Sequence, residues 1–110
     1  MERETIVNIL SDANYGCAYW CGEMDYDKQA YKDSKAELGE GCCFEDILAD
    51  MLLKGHSIGF IDAEDGSRED LTLEKLQGAF EGFEGDKEDM DSEDADFIIQ
   101  TALFGEVIYG

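Results

Sequence analysis

Phe44, Ile47, Leu48, Met51 and Leu52 stand at i, i+3, i+4, i+7 and i+8, and Lys54 and Gly55 follow closely. That spacing lines five apolar side chains along one face of a helix with a basic last turn and a glycine stop. Such a helix is stable only when a second layer covers its stripe, so the rest of the chain has to supply that layer. Ile6, Ile9, Leu10 and Ala13 predict a helix from Glu2 to about Ala13, ended by Gly16. Ala95, Ile98, Ile99, Ala102 and Leu103 predict another, opening at Asp91 or Ser92 and stopped by Gly105. Thr72 is a good N-cap for a weaker helix carrying Leu73, Leu76, Phe80 and Phe83, with Gly78, Gly82 and Gly85 counting against its second half.

Strands are expected between these helices. In the segment CAYWCGEMDYD, Ala18, Trp20, Met24 and Tyr26 alternate with Cys17, Tyr19, Glu23 and Asp25, although Gly22 weakens a strand there. His56 to Asp62 reads as a second strand, AEDGS as a hairpin turn, and Arg68 to Leu71 as the return strand. Lys28 to Gly41 is polar and small, either a loop or a weak helix. The order α-β-α-β-β-α-α predicts an α+β fold of about three strands, partly antiparallel, packed with about four short helices. Six Phe, five Tyr and Trp20, spread between the periodic segments, supply a core and argue against disorder, so residues 1–110 are expected to form one acidic globular domain.

The formal net charge is -20, from 28 acidic and 8 basic residues. A body this negative repels nucleic acid and anionic lipid, which leaves a basic protein as the expected partner and excludes direct nucleic-acid or membrane binding. The acids crowd toward one stretch, where Glu81, Glu84, Asp86, Glu88, Asp89, Asp91, Glu93, Asp94 and Asp96 face only Lys87. If that stretch is helical, Glu81, Glu84, Glu88 and Asp91 share a face with carboxylates about 5–6 Å apart. Such a row resembles the spacing of backbone phosphates and suits a groove built for nucleic acid. The alternative is a solvated connector that serves solubility. Calcium does not fit: an EF-hand aligned on Gly66 puts Ile61 and Thr72 at its first and last ligand positions, and one aligned on Gly85 puts Phe80 and Asp91 there.

Cys17, Cys21, Cys42, Cys43 and His56 are the candidate soft ligands for one structural zinc ion. Cys17 and Cys21 reach a common ion only if CAYWC is not extended, since four residues span roughly 6 Å on a helix or turn but about 13 Å along a strand. His56 lies roughly 18 Å from Cys43 along the intervening helix and joins only if the chain folds back. The alternative is that the cysteines are small buried apolar side chains. A catalytic thiol would need a base, His56 is the sole histidine, and acidic surroundings raise a thiol pKa. GxSxG, a phosphate-cradling glycine loop and HExxH are absent, so catalysis is not expected. The N-terminal MERETIVNILSD has no apolar signal-peptide core, and no apolar run approaches the roughly 18 residues of a membrane span, which points to the cytoplasm and to reduced cysteines.

Gly16-Cys17-Ala18-Tyr19-Trp20, Leu71-Thr72-Leu73-Glu74-Lys75-Leu76 with Gly78, Asp94-Ala95-Asp96, Gln100 through Glu106 (QTALFGE) and Tyr109-Gly110 occur in that order. Together they resemble a family of small acidic proteins of phages and prophages of Gram-positive bacteria. The resemblance covers most of the chain, and its C-terminal motif is the most distinctive part. It implies a phage setting and carries no catalytic residues; in it Trp20 and Phe104 read as core, and the additional cysteines go beyond the pattern. By size, charge and setting the chain is also similar to acidic anti-CRISPR proteins that inhibit type II RNA-guided nucleases. That analogy implies an anti-defence protein that binds a basic surface of such a nuclease in a bacterial host and blocks target DNA. A zinc-stabilised acidic accessory protein of a phage, without nuclease inhibition, is the alternative.

Overall fold

The computed structural model describes residues 1–109, as five helices and a three-stranded sheet. They run in the order α1 (Arg3–Gly16), β1 (Cys21–Asp25), α2 (Lys28–Leu38), α3 (Phe44–Leu53), β2 (Ile58–Asp62), β3 (Arg68–Leu71), α4 (Leu73–Gly82) and α5 (Ser92–Phe104). This is the expected α+β architecture, with every strand pair antiparallel. Gly110, the last residue of the C-terminal motif, lies outside the described residues.

The apolar stripes dictate the packing. α1, which buries Ile6, Ile9, Leu10 and Ala13, packs against both α3, which buries Ile47, Leu48, Met51 and Leu52, and α5, which buries Ala95, Ile98, Ile99 and Ala102. α4 covers the other flank of α5 with Leu76 and Ala79, and α2 leans on α3. All the buried apolar side chains belong to one cluster. Phe44 departs from its stripe: it opens α3 half-exposed and joins Tyr26 and Tyr31 in a small aromatic cluster, with ring centroids 5.9 and 6.1 Å away.

The sheet order is β1-β2-β3, with Met24 opposite Phe60 and Ile58 opposite Leu71. β1 begins four residues later than its alternation predicts. Cys17 to Trp20 form a turn instead, closed by the Cys21 N–H donating to the Cys17 carbonyl at 2.8 Å. The register then slips between Cys21 and Glu23, a bulge at Gly22. The hairpin after β2 forms because Asp62 accepts from the Glu64 and Asp65 N–H groups at 2.7 and 3.1 Å, turning the chain back into β3.

α2 settles the ambiguous polar segment as helix. Its apolar face is slight, only Ala30 and Ser34 being buried, so its local support comes from Asp27, which accepts from the Gln29 and Ala30 N–H groups. α5 starts where expected: Asp91 accepts from Asp94 N–H at 2.9 Å, the Asp94 carboxylate accepts in return from Asp91 N–H, and Gly105 ends the helix in the left-handed conformation. No helix among the described residues is long and apolar enough to cross a membrane.

Candidate functional site

Helix 5 carries two polar side chains on a face that the apolar stripe leaves open, and both point inward. Asp96 is 3% exposed and Gln100 fully buried. A buried carboxylate has to recover by hydrogen bonding what it loses in hydration, and donors converge on Asp96 from the turn between α1 and β1. Trp20 Nε1 donates to Oδ1 at 2.8 Å, Tyr19 Oη to Oδ2 at 2.6 Å and Cys17 Sγ to Oδ1 at 3.5 Å, while Gln100 Nε2 donates to Oδ1 at 2.9 Å. Burial pushes the Cys17 thiol up, and Asp96 beside it raises it further. Desolvation, followed by the Asp96 hydrogen bond, moves the Tyr19 hydroxyl up to about 12.

Gln100 passes this network on to the C-terminal segment. Its Oε1 accepts from the Ile108 and Tyr109 N–H groups at 2.9 and 2.8 Å, and its Nε2 donates to the Tyr109 carbonyl at 3.3 Å. The Tyr109 ring then stacks on Trp20, with centroids 5.0 Å apart and planes 5° apart, and meets the edge of Phe104 at 5.8 Å. Its hydroxyl donates to Asp62, which raises Tyr109 to about 12 and holds the Asp62 carboxyl below its usual value. The separated motifs GCAYW, DAD, QTALFG and the final tyrosine thus meet at one place, and the tail after α5 is fastened there rather than hanging free.

α1 and α5 cross so closely at this point that a Cβ on Gly16 would stand 1.9 Å from the Ser92 carbonyl oxygen. Beside the crossing lies an open groove of about 520 Å³. Its walls are Tyr15, Tyr19, Phe97 and Tyr109, Ser92 and Glu93 stand at the α5 end, and Asp96 lies beneath. Tyr15 is 83% exposed, Tyr19 56% and Phe97 38%. Sequence reasoning passed over Tyr15 and Phe97, although both are aromatics set off the apolar stripes of their helices, a signal for surface contact rather than core.

The acidic stretch adjoins this groove. Glu81 lies at the end of α4; Glu84, Asp86, Glu88 and Asp89 occupy a loop; Asp91 caps α5, and Glu93 and Asp94 fill its first turn. The row of Glu81, Glu84, Glu88 and Asp91 expected on one helical face does not form. The chain leaves α4 at Phe83, past Gly82, and Asp86 accepts from the Glu88 and Asp89 N–H groups at 2.9 and 3.3 Å, which offers the backbone a turn in place of a helix. Asp96 is also displaced from the expected partner-facing set: it is buried and both its oxygens accept from the chain's own donors.

The other acids of the stretch are exposed or half-buried, and among the described residues none of them enters a salt bridge. Arg3 pairs with Asp50, Lys54 with Asp50 and Glu37, and Arg68 with Asp25 and Asp70, all elsewhere. Lys87, the single base within the stretch, donates to the Glu81 carbonyl and lies 5.0 Å over the Phe80 ring.

The soft ligands are dispersed. The turn over residues 17–20 brings Cys17 and Cys21 toward each other, but Cys17 is buried against Asp96 and Cys21 Sγ donates to the Glu23 carbonyl at 3.3 Å. Cys42 is half-buried, Cys43 is the exposed N-cap of α3, and His56 is exposed beyond the other end of that helix. Among the described residues no three His, Cys, Asp or Glu side chains are grouped as a metal ion requires.

No protein-family model matches the chain, and neither does any curated protein or solved structure.

Proposed function

We propose that this protein acts by binding rather than catalysis, presenting the acidic surface from Glu81 to Asp94 to a basic protein. The observation that carries the reading is the absence of internal neutralisation. The ion-pairing bases serve acids elsewhere, and the acids of this surface stay unpaired among the described residues. Packing this many like charges together opposes folding, and a complementary partner would relieve that repulsion. The partner class that fits is a protein whose own positive surface holds nucleic acid.

With the phage-like motifs, this makes the chain an anti-defence factor in the bacterial cytoplasm, an anti-CRISPR-like inhibitor of an RNA-guided nuclease. Such nucleases hold guide and target in positively charged channels. The irregular path of residues 83–91 favours obstruction of a basic surface over a phosphate-spaced mimic of DNA.

The test is DNA cleavage by a purified type II nuclease loaded with guide RNA, with and without an equimolar amount of this chain. Inhibition is expected for the natural chain, weakening as salt rises because screening acts within about 8 Å at physiological ionic strength. Glu81, Glu84, Glu88 and Asp89 all changed to Lys should abolish it. Full inhibition by that variant, or none by the natural chain across several such nucleases, overturns the reading.

A further inference from the structure

The aromatic groove between α1 and α5 has a composition that the acidic surface alone does not explain. Exposed rings in a monomer are ordinarily scattered, whereas Tyr15, Tyr19 and Phe97 share one groove with Tyr109. The ring pairs of the molecule join Trp20, Phe60, Phe104 and Tyr109, or Tyr26, Tyr31 and Phe44; Tyr15, Tyr19 and Phe97 enter none of them among the described residues. Their faces are therefore not used up by internal stacking.

The groove is also acidic. Glu93 stands in its lining and enters no salt bridge among the described residues, and no Lys or Arg lines it. Three classes of occupant can be weighed against that setting. An anion or a nucleic-acid base with its phosphate is repelled by a chain of net charge -20. A wholly apolar segment would cover the rings but bury Glu93 without a partner, at a cost in desolvation. A guanidinium satisfies both parts, since its flat face stacks on an aromatic ring while its edge donates two parallel hydrogen bonds to a carboxylate. The volume of about 520 Å³ lies within the range of sites that enclose a small ligand, enough for a long side chain with flanking backbone.

We propose that this groove receives an arginine side chain of the basic partner, stacked against Tyr15 and Phe97 and paired with Glu93. The inference rests on the binding reading above and adds to it the anchor residue of the partner. Ser92 and Glu93 belong both to the groove and to the α5 end of the acidic stretch, so a basic surface docked on that stretch passes over the groove. The acidic stretch then supplies attraction at a distance, and the groove supplies selectivity for arginine over lysine, whose compact and strongly hydrated ammonium neither stacks flat nor binds a carboxylate in the same two-pronged way.

Titration calorimetry with an oligoarginine and an oligolysine peptide of equal length separates these roles. The natural chain should bind oligoarginine about two- to fivefold tighter, since both cations can meet a ring but only the guanidinium stacks flat and pairs two-pronged with Glu93, a difference on the order of one exposed contact. Changing Tyr15 and Phe97 together to Ala should remove that preference by weakening oligoarginine more than oligolysine; both side chains are exposed, and circular dichroism checks that the fold persists. Tyr15→Phe, which keeps the ring, should retain the preference. Equal affinity for the two peptides, or a preference that survives loss of both rings, overturns the groove. The quadruple lysine variant at positions 81, 84, 88 and 89 should weaken both peptides. If it binds both as the natural chain does, the binding reading fails and the groove with it. If it weakens both and no arginine preference is seen, the groove alone fails.

Discussion

Replacing Asp96 by alanine sets two opposing effects in this molecule against each other. Removing one of 28 acids from a chain of net charge -20 relieves repulsion, yet Asp96 is also the acceptor that the α1–β1 turn is built around. The electrostatic gain is limited: Asp96 is buried, but the other acids of the run are exposed or half-buried, and solvent and salt screen their fields within about 8 Å. The hydrogen-bond loss is larger. Trp20 is buried and its Nε1 has Asp96 as its partner, so truncation orphans a buried donor at about 1–3 kcal/mol. Gln100 Nε2 retains Tyr19 Oη at 3.1 Å and the Tyr109 carbonyl, and the half-exposed Tyr19 hydroxyl can turn to water, so these add less. The void left by the carboxyl group contributes about 1 kcal/mol more. Asp96→Ala should therefore destabilise the fold by about 3 kcal/mol, a large share of the 5–15 kcal/mol typical of a domain. Asp96→Asn, which keeps an oxygen for Trp20, should cost about 1 kcal/mol. Urea unfolding followed by Trp20 fluorescence and circular dichroism measures both, with the midpoint falling at unchanged slope. Glu88→Ala, exposed and without a side-chain hydrogen bond, should stay within about 0.5 kcal/mol of the natural chain. A midpoint for Asp96→Ala equal to or above that of the natural chain would show that repulsion outweighs the buried network.

Gly16→Ala should lower stability by about 1–3 kcal/mol, because its Cβ would collide with the Ser92 carbonyl and force α1 off α5; an unchanged urea midpoint would contradict so close a crossing. Tyr19 and Tyr109 both stay protonated in the folded chain above the usual tyrosine value of about 10. Their contribution is fully present below pH ~10 and is lost as pH rises through about 12. Thermal unfolding across that window should show the fall, and Tyr19→Phe and Tyr109→Phe should each flatten it. In native alkylation Cys43, exposed at the start of α3, should react ahead of Cys17, whose thiol is buried and raised; equal rates would mean that the turn over residues 17–20 opens. Metal analysis of the purified chain decides the zinc reading: stoichiometric zinc that is lost in Cys21→Ser and Cys43→Ser supports it, and zinc far below one equivalent removes it.

Residue patterning was enough to place α1, α3, α4 and α5 and the β2–β3 hairpin, because each is written in contacts between neighbours a few positions apart: an apolar stripe, a cap, a turn. Asp91 and Thr72 cap α5 and α4 as their positions predicted. α2 stayed ambiguous because its buried face is only Ala30 and Ser34, too small to give a hydrophobic period. The alternation starts β1 four residues too early, since it cannot distinguish a strand from a turn that buries Cys17 and Trp20 on its own. The helical ladder of carboxylates failed for the same kind of reason, with Gly82, Gly85 and the Asp86 turn outweighing helical spacing.

By itself the sequence determined the sign and rough location of the charge, the fold class and the ends of most elements, all of which are sums over local residues. Only the tertiary structure decided which acids face outward. Asp96 belongs to the same run as Glu93 and Asp94, yet it turns inward because its donors Tyr19 and Trp20 come from 77 and 76 residues away in the chain. The groove likewise exists only where Tyr15 of α1 and Phe97 of α5 are brought together by the crossing at Gly16. Local periodicity carries no information about such distant pairings, and it is there that the candidate site is made.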